Sequence, residues 1–158
     1  MPRKAWKHAD DRRPLDERGL RRADDLVPLL GAYAFTRVVA SSSVRCAGTV
    51  APYATTTGTR LRLRRALSEE GHAAHPHRAA QTVERLLDRG EPAALCSHRP
   101  VLPAVLAALG DRARDTRVAD RLRESAKLGL VKGEALVAHV HGRGAAAQVV
   151  AVERHGLA

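Results

Sequence analysis

Apolar positions recur along this chain at two spacings, one that suits helices and one that suits strands. In "GLRRADDLVPLLGAY", Leu20, Ala23, Leu26, Val27 and Leu30 fall on one side of a helix. "TRVVASS" then predicts a short buried strand over Thr36 to Ala40. "VRCAGTVAPYATTTG" predicts a second helix stopping near Gly58, with a kink or an early end at Pro52, whose ring opposes the preceding turn. "LRLRRALSEEG" alternates Leu61 and Leu63 with arginines, as a strand near a sheet edge does. "HRAAQTVERLLDRG" is amphipathic through Ala80, Val83, Leu86 and Leu87, and Gly90 supplies a C-terminal stop. "PAALCS" is another buried strand. "PVLPAVLAALG" is the helix after it, with Pro100 close to the first turn, where a missing N–H costs little. Part of "DRARDTRVADRLRESAKLGLVKG" is predicted helical, and "EALVAHVHG" and "AAQVVAVERHG" are two strands joined by the turn "HGRG". Strands alternating with helices predict an α/β fold around a sheet that is mostly parallel.

In open α/β sheets, ligands sit at the carboxyl ends of the strands. Three such ends carry residues able to do chemistry. One is Ser41-Ser42-Ser43-Val44-Arg45, with Thr49 a turn later; the second is Ser97-His98; the third is "ALSEEG", where Glu69 and Glu70 follow the arginine-rich strand. Arg45 is a fixed-charge fork for two phosphate oxygens. His98 is a second donor, able to stabilise charge on a phosphoryl group in transfer. A glutamic acid beside them can protonate a leaving oxygen. Singly, each has an ordinary structural reading. An arginine on a helix is usually a solvated cation, a lone histidine is usually structural, and "SEE" is usually an N-cap with first-turn acids. Their convergence at separate strand ends favours the functional one.

Composition narrows the ligand. There are 27 Lys+Arg against 17 Asp+Glu, a formal net charge of +10, so an anionic partner is expected unless the cations are simply surface arginines. The basic residues are scattered, without a block or interleaved aromatics, which disfavours nucleic acid and points to a small phosphorylated ligand. Cys46 and Cys96 form no CxxC and no metal spacing, and read as small buried thiols of a reducing cytoplasm. His72, His75 and His77 lie close together in "GHAAHPHR", but Pro76 interrupts them and no metal spacing results, so an exposed loop without metal is expected. His139 and His141 are expected on the solvent side of their strand. No run of about 18 apolar residues suggests a membrane span, and the opening "MPRKAWKHADDRRP" has no apolar h-region. The length suits one domain over residues 1–158, and no cofactor is expected.

The segments "PLDERGLRRADDL", "VVASSSVRCAGTVAPYA", "ALSEEG" and "ALCSHRPVLPAVL", in this order, resemble the histidine phosphatase superfamily of phosphoglycerate mutases and SixA-type phosphohistidine phosphatases. Within it the likeness is strongest to the phosphatase half of actinobacterial proteins that fuse a Nudix domain to a histidine phosphatase domain. The resemblance runs from about Arg3 to about His155 and implies a phosphoglycerate mutase-like fold with three α/β/α layers. It also implies phosphoryl transfer to a histidine in an Arg-His pair after the first strand, then release by water. By position, Arg45 matches the family's second arginine and His98 its second histidine. Glu69 matches the proton donor, with Glu70 as the alternative. Ser41 and Thr49 match the turn around Arg45, and Arg3 falls in the loop after the nucleophile, where it can touch substrate. The substrate class implied is a phosphomonoester, a phosphohistidine protein or a nucleotide phosphate. This chain shows no Arg-His pair and no first strand, and His8 lies too far along to replace them. That departure implies a truncated or miscalled start, or a piece of a larger protein, without the nucleophile. The alternative is a non-catalytic phosphate-binding domain from a degenerate copy.

Overall fold

A computed structural model describes residues 5–156. Arg3 therefore lies outside the described residues. Three strands, β1 (Arg37–Ser41), β2 (Leu61–Arg64) and β3 (Ala93–Cys96), form a parallel sheet in the order β2-β1-β3. Val38 pairs with Leu61 on one side and with Ala94 on the other. The central strand is the most buried, with Val38, Val39, Ala40 and Ser41 all buried. β1 starts and ends one residue later than expected, so Ser41 belongs to the strand rather than to the turn after it.

Two helices, α1 (Glu17–Ala32) and α2 (Val44–Thr57), cover one face of this sheet. Leu26 and Leu30 from α1 and Val50, Tyr53 and Ala54 from α2 pack against Val38 and Ala40. The opposite face carries α3 (Glu69–Ala74), α4 (His77–Arg89) and α5 (Leu102–Gly110). There Val83 and Leu87 of α4 and Val105 of α5 meet Val39 and Leu67. Helix, sheet and helix thus make the expected three layers.

Side-chain oxygens start these helices. Asp16 accepts from the Gly19 N–H at 2.9 Å and Ser68 from the Gly71 N–H at 3.0 Å. α2 runs unbroken through Pro52 and stops at Gly58, whose φ of 67° is left-handed. The proline forfeits one helix hydrogen bond, and the burial of Val50, Tyr53 and Ala54 around it holds the helix together. Leu20, expected on the buried stripe of α1, is 54% exposed; Ala23, Leu26 and Leu30 make up the stripe.

The remaining strands, β4 (Ala135–His141) and β5 (Gln148–His155), pair antiparallel with each other in a separate two-stranded sheet. A short connection favours local antiparallel pairing. This hairpin packs on α6 (Thr116–Leu128) through Val118, Leu122, Val149 and Val152. His139 and His141 face solvent, as expected. The "GHAAHPHR" stretch is not a loop: His72 lies within α3, His77 opens α4, and only His75 and Pro76 separate the two helices.

Candidate active site

The parallel sheet brings the ends of β1 and β3 side by side, with Ala40 opposite Cys96. Just beyond them, two sharp turns point polar side chains at one another. At the end of β1, the Ser43 N–H donates to Ser41 Oγ at 3.2 Å, and Arg45 and Cys46 follow in the first turn of α2. At the end of β3, Ser97 Oγ donates to the Leu67 carbonyl at 2.8 Å, tying this strand to the segment before α3. The His98 carbonyl accepts from the N–H groups of Val101 and Leu102, which fixes its backbone ahead of α5.

His98 is the centre of the cluster and is only 8% exposed. Its Nε2 lies 2.9 Å from Ser41 Oγ, 3.1 Å from Ser43 Oγ and 3.4 Å from Cys46 Sγ. Its Nδ1 is 3.5 Å from Glu69 Oε1. An imidazole gripped at both nitrogens has one ring orientation available to it. Burial works against its protonation. The hydrogen bond and charge of Cys46, with the charge of Glu69, outweigh burial, and the net shift raises the His98 pKa. Arg45 lies close enough for its own charge to oppose that rise. The two sulfur atoms share one interaction: a hydrogen bond from Cys96 holds the Cys46 thiol below its ordinary range, while the same bond and burial push Cys96 up.

Arg45 forms the second half of the site. Its guanidinium donates to Asp10 twice, at 2.6 Å to the carbonyl and at 2.7 Å to the carboxylate. Asp10 opens a 3-10 turn, Asp10–Arg12, and takes a further bond from Arg13 Nε at 2.8 Å. The hydrogen bond from Arg13, then that from Arg45, holds the Asp10 carboxyl down at about 2.

The structure therefore brings Ser41, Glu69 and His98 into contact and places Arg45 within electrostatic reach of them. Glu70 is exposed one residue further into α3 and has no recorded contact with His98. Thr49 turns back on its own helix, where its hydroxyl donates to the Arg45 carbonyl at 2.8 Å. Ser68 caps α3, as the structural reading of "SEE" requires, and the same cap aims Glu69 at His98. Asp10, Ser43 and Cys46 are site residues that the sequence reading did not assign. The serine run at the end of β1 signalled Ser43; for Asp10 the only sign was an acidic pair before "RRP". Among the described residues, no group of three or more His, Cys, Asp or Glu is arranged to hold a metal ion.

Chemically, the cluster offers a guanidinium fork, a buried imidazole donor and a carboxyl group beyond the ends of β1 and β3. That set can bind a tetrahedral oxyanion and stabilise charge on it.

The model of the histidine phosphatase superfamily, branch 1, matches residues 5–73. An 8-oxo-(d)GTP phosphatase of Mycolicibacterium smegmatis is 35% identical over 115 residues, which is 71% of this chain and 35% of that protein. The chain thus spans about a third of the length of this relative. Two solved structures described as SixA phosphohistidine phosphatases share the fold. The one from Agrobacterium tumefaciens aligns with a TM-score of 0.64 at 16% identity, over 94% of this chain and 90% of its own. The one from Nakamurella multipartitia aligns with a TM-score of 0.65 at 23% identity, over 98% and 91%. Together these matches support the histidine phosphatase superfamily as the family of this chain, the family's model covering residues 5–73. Its architecture is the phosphoglycerate mutase-like one seen in the SixA structures.

Proposed function

We propose that the chain carries the phosphate-binding half of a phosphatase site, which takes a phosphomonoester, a phosphohistidine or a nucleotide phosphate. Arg45 clamps two phosphoryl oxygens, His98 donates to a third, and Glu69 hands a proton to the leaving oxygen. Ser41 holds the imidazole in place. The observation that carries this reading is the buried His98 gripped by Ser41 and Glu69 with the Arg45 charge beside it. Reaction through a phosphohistidine needs a second imidazole as nucleophile. Among the described residues, the hydrogen bonds and ion pairs of the His98 ring and the Arg45 guanidinium come from Asp10, Arg13, Ser41, Ser43, Cys46 and Glu69, none of them a histidine. We infer that the nucleophile is not part of the pocket in this chain. A reducing compartment suits the free thiols Cys46 and Cys96.

The missing second imidazole also supports the alternative, a domain that binds phosphate without turning it over. Calorimetric titration with inorganic phosphate tests the shared part of both readings. Binding weakened about tenfold or more by Arg45→Ala and by His98→Ala is expected. Fusing an upstream strand that ends in Arg-His then separates the two. Hydrolysis of p-nitrophenyl phosphate that survives chelator and is lost in either variant supports the phosphatase. A fused protein that binds phosphate yet stays inert supports the binding domain. Phosphate affinity indifferent to both substitutions rejects both readings.

A further inference from the structure

The Arg45–His98 site leaves most of the chain's positive charge unused. A second concentration of it lies on the α3–α4–α5 face of the sheet, along the edge strand. The alternation of β2 that puts Leu61 and Leu63 toward one face puts Arg62 and Arg64 toward the other. Arg62 pairs with Val39 and Arg64 with Ser41, and Arg37 lies two residues before Val39 on the same face of β1. α4 runs alongside and presents Arg85 and Arg89. Between strand and helix is a narrow groove of about 60 Å³, with Val39 and Leu86 as its apolar lining.

Among the described residues, Arg37 is the one of these five arginines with an acidic partner, Glu91. Among the described residues no carboxylate lines the groove. The charges of Arg37, Arg60, Arg64 and Arg89 bear on Arg62 and drive its pKa below the ordinary arginine value, with Arg37 the largest cause. Guanidinium groups held this close repel one another, and a ligand carrying several negative charges relieves that repulsion. Among the described residues no aromatic side chain lines the groove, so a nucleic-acid base finds no ring to stack on. The groove is slender and runs to Arg64, which stands opposite Ser41 at the sheet end where the phosphate pocket begins.

We propose that this groove is a second anion site that takes a chain of linked phosphates, free or carried on a nucleoside. Its arginines act as paired forks on successive phosphates, and its apolar lining excludes water from between them. The site does not depend on the phosphatase reading, because none of its residues touches His98 or Arg45.

Calorimetry at low salt on the full chain, with inorganic tripolyphosphate and ATP as probes, tests it. Arg62→Ser/Arg85→Ser is expected to weaken both probes at least about tenfold and to flatten the dependence of affinity on salt. Arg85→Glu/Arg89→Glu, which changes only exposed positions of α4 and leaves β2 intact, is expected to do the same, and guards against misfolding of the first variant. The surface pair Arg21→Ser/Arg117→Ser is expected to leave tripolyphosphate affinity within about twofold. Equal affinity for ATP and tripolyphosphate assigns recognition to the phosphate chain. Three results overturn the proposal: groove variants that bind tripolyphosphate normally, a surface pair that loses as much as the groove variants, or a single-stranded oligonucleotide that outcompetes tripolyphosphate for the groove.

Discussion

Arg45 and Asp10, 35 positions apart, are joined by a bond of 2.7 Å from guanidinium to carboxylate, so the fork proposed for phosphate already holds an anion. A phosphate that takes both donors of Arg45 has to displace that carboxylate. A partly exposed ion pair of this kind is worth up to about 1 kcal/mol, or roughly fivefold in affinity. Asp10→Asn is therefore expected to tighten inorganic phosphate binding about threefold to fivefold. Affinity that falls instead assigns Asp10 to holding Arg45 in position. The same pair governs acid stability. The Asp10 carboxyl sits at about 2, below its ordinary 3.8, because Arg13 and then Arg45 favour the charged form. Its contribution is complete above the unfolded value and is lost as pH falls toward 2. Asp10→Asn is therefore expected to lower stability modestly at neutral pH and to make little difference near pH 2, so that the two proteins converge on acidification, which urea unfolding followed by circular dichroism across pH 2 to 6 reads directly.

Ser41 is fully buried and serves two partners, the imidazole of His98 and the N–H of Ser43. Ser41→Ala leaves the Ser43 N–H with no acceptor at the start of α2 and removes the shortest contact of the imidazole Nε2, leaving those of Ser43 and Cys46. Leaving a buried donor unpaired costs about 1–3 kcal/mol. Urea unfolding should show a loss in that range without a change in slope, and phosphate affinity should fall with it. Ser43→Ala removes a longer contact to His98, at 3.1 Å, and is expected to cost less. The reverse order would assign Ser43 as the imidazole's main support.

The raised pKa of His98 carries a signed prediction. Burial opposes protonation, and the interaction with Cys46 overcomes it, so the folded value lies above the ordinary 6.5. A histidine raised in this way stabilises the fold fully below the unfolded value, and that contribution is lost as pH rises through the folded one. Cys46→Ala removes the strongest supporting contact. NMR titration of the imidazole should then show the His98 midpoint moving down, and Glu69→Gln should move it the same way by a smaller amount. An unchanged midpoint in Cys46→Ala would falsify the assignment of the thiol as the controlling neighbour.

The parts of this site that were legible in the sequence are those set by local pattern. A buried apolar run ending in Ser-His, and another ending in serines before a helix, predict two parallel strands with polar turns at the same end. Adjacent pairing of β1 and β3 then brings Ser41 and His98 together with no further information. "SEE" announced both the cap of α3 and the carboxylate that reaches His98. What stayed hidden depends on contacts between segments of different period. Asp10 lies in a stretch with no hydrophobic repeat, so nothing local connects it to Arg45. Cys46 was legible as a buried thiol, but its place beside His98 follows from the angle at which α2 leaves β1. The separation of the β4–β5 hairpin from the parallel sheet was equally hidden, because an apolar strand pattern does not specify its partner. The exposure of Leu20 shows the same limit at the edge of α1, where the helical stripe is wider than the surface that covers it.

Gly71 gives the sharpest structural test, because its missing side chain sets the distance between α3 and the segment before it. A Cβ built at position 71 would lie 1.9 Å from the Arg65 carbonyl oxygen, a backbone atom with no rotamer to move into. Gly71→Ala therefore has to push α3 away from Arg65–Leu67, straining the Ser68 cap and drawing Glu69 off His98. Forced shifts of this kind cost about 1–3 kcal/mol, and for a chain of this size each kcal/mol lowers Tm by about 2–4 °C. A drop of roughly 3–10 °C is expected on that scale, together with a lower His98 midpoint by NMR as the imidazole loses its carboxylate neighbour. Gly31→Ala, within α1 at a position where an added Cβ meets nothing beyond the neighbouring backbone of its own helix, serves as the comparison and should leave the His98 midpoint unchanged and Tm no lower. If Gly71→Ala lowers Tm but leaves the His98 titration in place, α3 supports the fold without positioning Glu69, and the proton-donor role passes from Glu69 to another group.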